Sequence, residues 1–206
     1  MATRTELSDI VKSKIDELAP FDGGLTLITA PGNTGNNPIE TYIDQFLNES
    51  AKETLLEAPS HVLPLSAFST IAFDLTNKKA TIILPDTYLR VGIIQFSSWD
   101  RPVFKAIYPG DPEYSRQFNR WLRGGKSRPT AVWITESGVA KLICYGVTSN
   151  TGYQAYCVIE TDAEDMPDKL HEPMTWHCAF QVLQVFEKEK QSEIAYTRYL
   201  KALSLL

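Results

Sequence analysis

From residue 38 onward an apolar side chain recurs every three or four positions: Ile39, Tyr42, Ile43, Phe46, Leu47, Ala51, Leu55 and Ala58. This spacing gathers them on one stripe of an amphipathic helix, with Glu40, Asp44, Asn48, Lys52 and Glu53 mostly off it. Asn37 can cap the first free N–H groups, Pro38 suits the first helical position, and Pro59 disfavours helical geometry at Ala58. Thr5 to Leu18 carries the same signature through Leu7, Ile10, Val11, Lys14, Ile15 and Leu18, with Thr3, Thr5 and Ser8 as caps and Pro20 as the stop. Asp22-Gly23-Gly24 then turns the chain, Leu25 to Thr29 reads as extended, and Ala30 to Asn37 as a loop.

After Pro59 the period changes. Val62 to Phe73 is apolar but broken by Pro64 and several Ser and Thr. Lys78 to Leu84 reads as a strand, as does Tyr88 to Phe96, where Tyr88, Arg90 and Gly92 alternate with Leu89, Val91 and Ile93. Ser97 to Pro129 is irregular, with a short helix expected within Pro112 to Trp121. Thr130–Ile134 and Val139–Val147 form a hairpin around Glu136-Ser137-Gly138, and Tyr153–Glu160 is a third strand beside them, reached through a turn at Ser149–Gly152. Helix returns from Met166, with Pro173 in a first turn and Met174–Lys188 apolar through Cys178, Val182, Val185 and Phe186. Lys188, Lys190 and Gln191 mark a break before Ser192–Leu203. The expectation is an α+β fold in a single domain, residues 1–206. Helices from both ends of the chain, about 3–60 and 166–206, form a bundle carrying a central antiparallel β-rich insertion, about 62–160.

The 206 residues are 43% hydrophobic and 22% charged, which excludes a disordered chain. The net charge of -5 argues against bulk coating of nucleic acid. Three widely spaced cysteines, Cys144, Cys157 and Cys178, point to a reducing compartment rather than a disulfide framework. No signal peptide is expected at the start of the chain, and no apolar run approaches the roughly 20 residues needed to span a bilayer, so no membrane partner is expected.

Candidate chemistry is sparse. Gly32 to Asn37 precedes a helix as a phosphate loop would, but it lacks the lysine that reaches a phosphate and reads as a capping loop. His171 and His177 are six apart and so do not form an i, i+4 metal pair. Cys144 and Cys157, on strands expected to be neighbours, read as small core hydrophobes. Glu160, Asp162, Glu164, Asp165 and Asp168 lack the glycine and ligand period of a calcium loop and read as a solvated lead into the next helix. No catalytic residue, metal ligand or cofactor-binding residue emerges, and no cofactor is expected.

One polar stretch stands out. Arg116 to Arg128 holds Arg116, Arg120, Arg123, Lys126 and Arg128 without an acid, together with Phe118 and Trp121. Trp99, Arg101 and Lys105 precede it, and Gly124-Gly125 makes it pliable. Arginine and aromatic residues together compose interface anchors and nucleic-acid contact surfaces. The candidate interface is Trp99, Arg101, Arg116, Arg120, Trp121, Arg123, Lys126 and Arg128.

Three segments resemble the head–tail connector (adaptor or ring) proteins of tailed bacteriophages, in particular the small ring proteins of crAss-like phages and their Bacteroidetes relatives. They are Ile15-Asp16-Glu17-Leu18-Ala19-Pro20-Phe21-Asp22, then Tyr42 to Ala51 running into Leu55-Leu56-Glu57-Ala58-Pro59, and Leu170 to Ala179 with its following helix. The resemblance covers both helical ends and says least about Val62 to Tyr156. It implies a virion structural protein, not an enzyme, made in the host cytoplasm and located at the capsid vertex and tail neck. Its partners would be further copies of itself in a closed, dodecameric ring, the portal protein, and other tail or ring proteins. Genomic DNA would pass through the channel without sequence-specific contact. A closed ring needs a heterologous interface, and net acidity suits a lining that does not grip DNA. Two other readings stand beside it: a non-virion binding module using the basic, aromatic loop 99–128 for nucleic acid or a protein partner, and an enzyme uniting Cys157, His177 and carboxylates only in the fold.

Overall fold

The computed structural model describes residues 2–18 and 38–206. Asn37 as a cap, the Leu25–Thr29 strand and the Gly32–Asn37 loop lie outside these residues. The fold is α+β, with helices at both ends of the chain and sheets between them. By contacts it divides into two compact units, Met1–Pro64 with Thr161–Leu206, and Leu65–Glu160.

The helical unit holds α1 (Arg4–Leu18), α2 (Pro38–Glu57), α3 (Asp168–Val185) and α4 (Glu189–Ser204). α1 opens on a capping box: the Glu6 N–H donates to Thr3 Oγ1 at 3.3 Å and the Thr3 N–H donates to Glu6 Oε2 at 2.8 Å. Leu7, Val11, Ile15 and Leu18 of α1 and Ile39, Ile43, Leu47, Ala51 and Leu55 of α2 are buried, as their spacing predicts, whereas Ile10 is exposed. They meet Leu170, Met174, Cys178 and Val182 of α3, and Ala195 and Tyr199 of α4 are buried in the same unit. Because α3 begins at Asp168, Pro173 lies inside the helix rather than in its first turn. The break after α3 is at Phe186–Lys188, not at Lys190-Gln191, which belong to α4. Glu187 adopts φ +56°, its N–H bonds the Gln184 carbonyl at 3.0 Å and the Lys188 N–H bonds the Leu183 carbonyl at 3.0 Å. This is a Schellman stop with glutamate where glycine is usual.

The acidic run before α3 is more than a solvated lead. Asn48 donates to Asp162 at 3.0 Å and accepts from the Ala163 N–H at 3.3 Å, while Arg4 pairs with Glu164 at 3.6 Å and Asp44 at 3.3 Å.

The sheet unit contains two sheets. One has the order β1 (Ser66–Ala67), β8 (Gln154–Ile159), β4 (Tyr88–Gln95). The other has the order β2 (Ile71–Asp74), β3 (Lys79–Ile83), β7 (Val139–Tyr145), β6 (Ala131–Glu136), β5 (Ala106–Ile107). All pairings are antiparallel except β5 with β6. β6 and β7 form the expected hairpin, with Ser137 at φ +53° and Gly138 at φ +79° as its two-residue primed turn. β8 does not join them: it pairs with β1 and β4, which place Ser66 and Val91 opposite Cys157. Cys144 and Cys157 are therefore on different sheets, because period-two alternation marks a strand without naming its neighbour.

The expected alternation along β4 also breaks. Its register shifts between Val91 and Ile93, so Val91 and Ile94 both reach the core. Gly92 sits at that shift, where an added Cβ would lie 2.4 Å from Leu65 Cδ2 and 3.3 Å from the Tyr156 carbonyl oxygen. Between the sheets, Val91, Ile94, Ala155 and Cys157 join Ala80, Ile82, Ala131, Leu142 and Cys144 in one apolar core.

Candidate interaction surface

The connection from β4 to β6 carries the basic stretch, and it is built from within. Trp99 is only 4% exposed, its ring stacks edge-on against Phe96 at 4.9 Å and its Nε1–H donates to the Tyr145 carbonyl at 2.8 Å. It is a core residue and not part of the contact surface, since burying a large aromatic ring and satisfying its N–H outweigh leaving it in water. Val103 follows with reciprocal backbone bonds to Ile94 at 2.8 and 2.9 Å. The predicted short helix is a single 3-10 turn, Ser115–Phe118.

Gln117, within that turn, is buried and holds the far side of the loop. Its Oε1 accepts the Gly124 N–H at 2.9 Å and the Thr130 hydroxyl at 3.2 Å. Asn119 organises the tip: its Oδ1 accepts the Trp121 N–H at 2.9 Å and its carbonyl accepts the N–H groups of Leu122 and Arg123 at 3.1 and 2.9 Å. Gly146, at φ +76°, passes so close to Gly125 that a Cβ there would lie 2.8 Å from the Gly125 carbonyl carbon. A Cβ on Gly124 would likewise lie 2.9 Å from the Arg128 carbonyl oxygen, whereas one on Gly125 would meet nothing within 4 Å, so Gly146 and Gly124 serve close approach and the strip is an ordered platform.

Trp121 stands on this platform 88% exposed, beside Leu122 at 63% and Phe118 at 57%. Arg101, Arg116, Arg120 and Arg128 are exposed, and among the described residues none of them has an ion-pair partner. Arg120 lies 6.0 Å from the Trp121 ring, at the edge of cation–π range. Arg123 turns inward, half-buried over the Tyr145 ring at 4.7 Å. Lys126 is exposed but pairs with Asp100 at 3.5 Å, and the Asp100 N–H bonds the Lys126 carbonyl at 3.1 Å. The stretch is acid-free in sequence, and folding adds one acid to its edge. Leu122 and Gln117 escaped the sequence reading because neither carries charge.

The residues of the enzymatic reading fall in different units, Cys157 in the sheet unit and His177 in the helical unit. Cys144 and Cys157 are buried in the sheet core, and burial pushes both thiols above their ordinary range. Cys178 is buried in the helical unit, pushed up to about 12 by desolvation. His177, buried on α3, places Nδ1 3.2 Å from Ser50 Oγ, which donates its only proton to Gln181 Oε1 at 2.9 Å. Nδ1 is therefore the donor toward serine, the reverse of a base that activates a nucleophile. Desolvation lowers the His177 pKa, against the pull of Glu53, Glu57 and Glu49. Among the described residues no group of three or more His, Cys, Asp or Glu side chains could hold a metal ion, and no helix is long and apolar enough to cross a membrane.

A second surface lies at the corner between α3 and α4. The rings of Phe180 and Tyr196 stand 5.0 Å apart beside a cleft of about 690 Å³, edged by Glu187, Glu189 and Glu193. In the sequence Glu187 and Glu189 alternate with Lys188 and Lys190, so residues 187–190 read as neutral, with Glu193 standing apart. The αL turn at Glu187 and the i, i+4 spacing of Glu189 and Glu193 turn the acids toward the same cleft. No protein-family model matches the chain, and no curated protein matches it.

Proposed function

We propose that the chain is a virion structural protein, a subunit of the connector ring that joins the portal to tail components in a tailed bacteriophage and lets DNA pass. The observation that carries the reading is Trp121, 88% exposed on an ordered loop among arginines that have no ion-pair partner among the described residues. A soluble subunit that holds a tryptophan in water on a hydrogen-bonded platform gains nothing from it alone, and such residues are the usual anchors of protein interfaces. The resemblance of both helical ends to connector subunits supplies the setting, with copies of itself, the portal, and other tail or ring proteins as partners. Among the described residues the buried thiols have no adjacent base and the Ser50–His177 pair has the wrong polarity for activating serine.

Light scattering and electron microscopy of the purified chain, with and without the portal, test it. A closed ring, alone or on the portal, is expected. A chain that stays monomeric and ignores the portal overturns the proposal.

One observation favours a second reading. Arg120 beside the open face of Trp121 is also a stacking platform for a nucleic-acid base. Under it the chain binds single-stranded DNA at low salt and loses affinity steeply as salt rises. Absence of binding at low salt removes it.

A further inference from the structure

The basic strip needs a surface of opposite charge, and the α3–α4 corner offers one. Glu187, Glu189 and Glu193 are exposed, and none has an ion-pair partner among the described residues. They edge a cleft of about 690 Å³ walled by the Phe180 and Tyr196 rings, with Lys188, itself engaged elsewhere, also on its wall. On the strip, Arg116, Arg120 and Arg128 are exposed on the same loop as Trp121, Arg120 lying 6.0 Å from its ring, and none has an ion-pair partner among the described residues.

We infer that the strip of one copy docks in the α3–α4 cleft of a second copy, with Trp121 against Phe180 and Tyr196 and the arginines paired to the three glutamates. The inference rests on the ring reading and names the partner of the same strip. Four complementarities carry it: cation against carboxylate, planar ring against ring pair, protrusion against cleft, and exposure on both sides. Guanidinium–carboxylate pairs are directional and tolerate desolvation better than ammonium pairs do. Offset or edge-on aromatic contacts add to them. Because strip and cleft are different surfaces of the chain, the contact is heterologous, so each copy both gives and receives.

Two charge-reversed full-length variants test it: Arg116→Glu/Arg120→Glu/Arg128→Glu on the strip, and Glu187→Arg/Glu189→Arg/Glu193→Arg at the cleft. Circular dichroism and melting confirm that each is folded, and sedimentation velocity reads assembly. Wild type is expected to self-associate, less so as salt rises. Each variant alone is expected to be monomeric, and an equimolar mixture to assemble, because every strip then meets a cleft of opposite sign. Trp121→Ala is expected to weaken self-association by ~30-fold or more. A cleft variant that assembles like wild type while the strip variant does not overturns this pairing and leaves the ring reading standing. Two monomeric variants whose mixture stays monomeric also overturn the pairing. Wild type that remains monomeric at its highest soluble concentration overturns the pairing, and if it also ignores the portal, the ring reading falls with it.

Discussion

The helical unit ties its helices together through buried polar side chains, and the sheet unit leaves the cations of its strip in water. Lys14 is buried, bridges to Glu172 at 3.2 Å and lies 4.4 Å from the Trp176 ring. Tyr199 donates to Glu57 at 2.7 Å, and His177 and Ser50 join α3 to α2. Between the sheets, by contrast, the core is apolar, and the arginines of the strip are left in water without ion-pair partners among the described residues. Polar groups used internally fix the register of helices against one another. Polar groups left unpaired on an ordered platform are available to something else. The helical unit is tied together from within and opens outward at the α3–α4 cleft, while the sheet unit presents the strip.

Two tryptophans in the sheet unit sharpen that contrast most. Trp99→Ala removes a packed core ring and its bond to Tyr145, so it should lower stability by about 3–5 kcal/mol in denaturant unfolding. Trp121→Ala should change stability by less than about 0.5 kcal/mol. Equal effects would mean that the strip is part of the core and not a presented surface. Gln117→Leu leaves the Gly124 N–H and the Thr130 hydroxyl without their acceptor and should cost about 1–3 kcal/mol. Hydrogen exchange should show the loss concentrated at residues 117–130, and a uniform loss would contradict a separately secured platform.

Lys14 tests the inward-turned charges of the helical unit. Burial lowers its pKa to about 8, against the pull of Glu172. Between that value and its ordinary one near 10.5, the unfolded chain holds a proton that the folded chain has released. Wild type should therefore gain stability relative to Lys14→Met as pH rises from about 8 to about 10.5, by about 1 kcal/mol or more. The difference between the two proteins cancels the tyrosines and cysteines that both share. A difference that is flat across this window would show Lys14 to be solvated. The smallest effect is expected at Glu187, whose φ of +56° suits glycine, so Glu187→Gly should raise stability by about 0.5 kcal/mol while removing one carboxylate from the cleft.

Local periodicity made both helical ends and the β6–β7 hairpin legible, because the signals lie within a few residues: the stripe from Ile39 to Leu55 and the Ser137-Gly138 turn. Strands β1, β2 and β5 were not legible, since segments of two to four residues are set by distant partners, as Ser66 is by Cys157. The placement of β8 failed for the same reason. At the strip, an acid-free run of arginines pointed to Arg116, Arg120, Trp121 and Arg128. Trp99 misled, because an aromatic residue next to basic ones is equally compatible with a core anchor. Asp100 beside Lys126 and the gathering of Glu187, Glu189 and Glu193 depend on chain reversals that composition does not encode.

The pairing of β1 with β8 has a topological consequence. These are the first and last strands of the sheet unit, and Ser66 lies opposite Cys157, so the chain enters and leaves that unit on adjacent antiparallel strands. Once residues 65–160 have folded, they act toward the remainder as a short tether rather than a long loop. Joining α2 to α3 then loses less chain entropy, by on the order of 2 kcal/mol. The inserted unit is in that sense a cartridge: removing it whole and bridging its two ends with a few residues leaves the four helices the same connection to make.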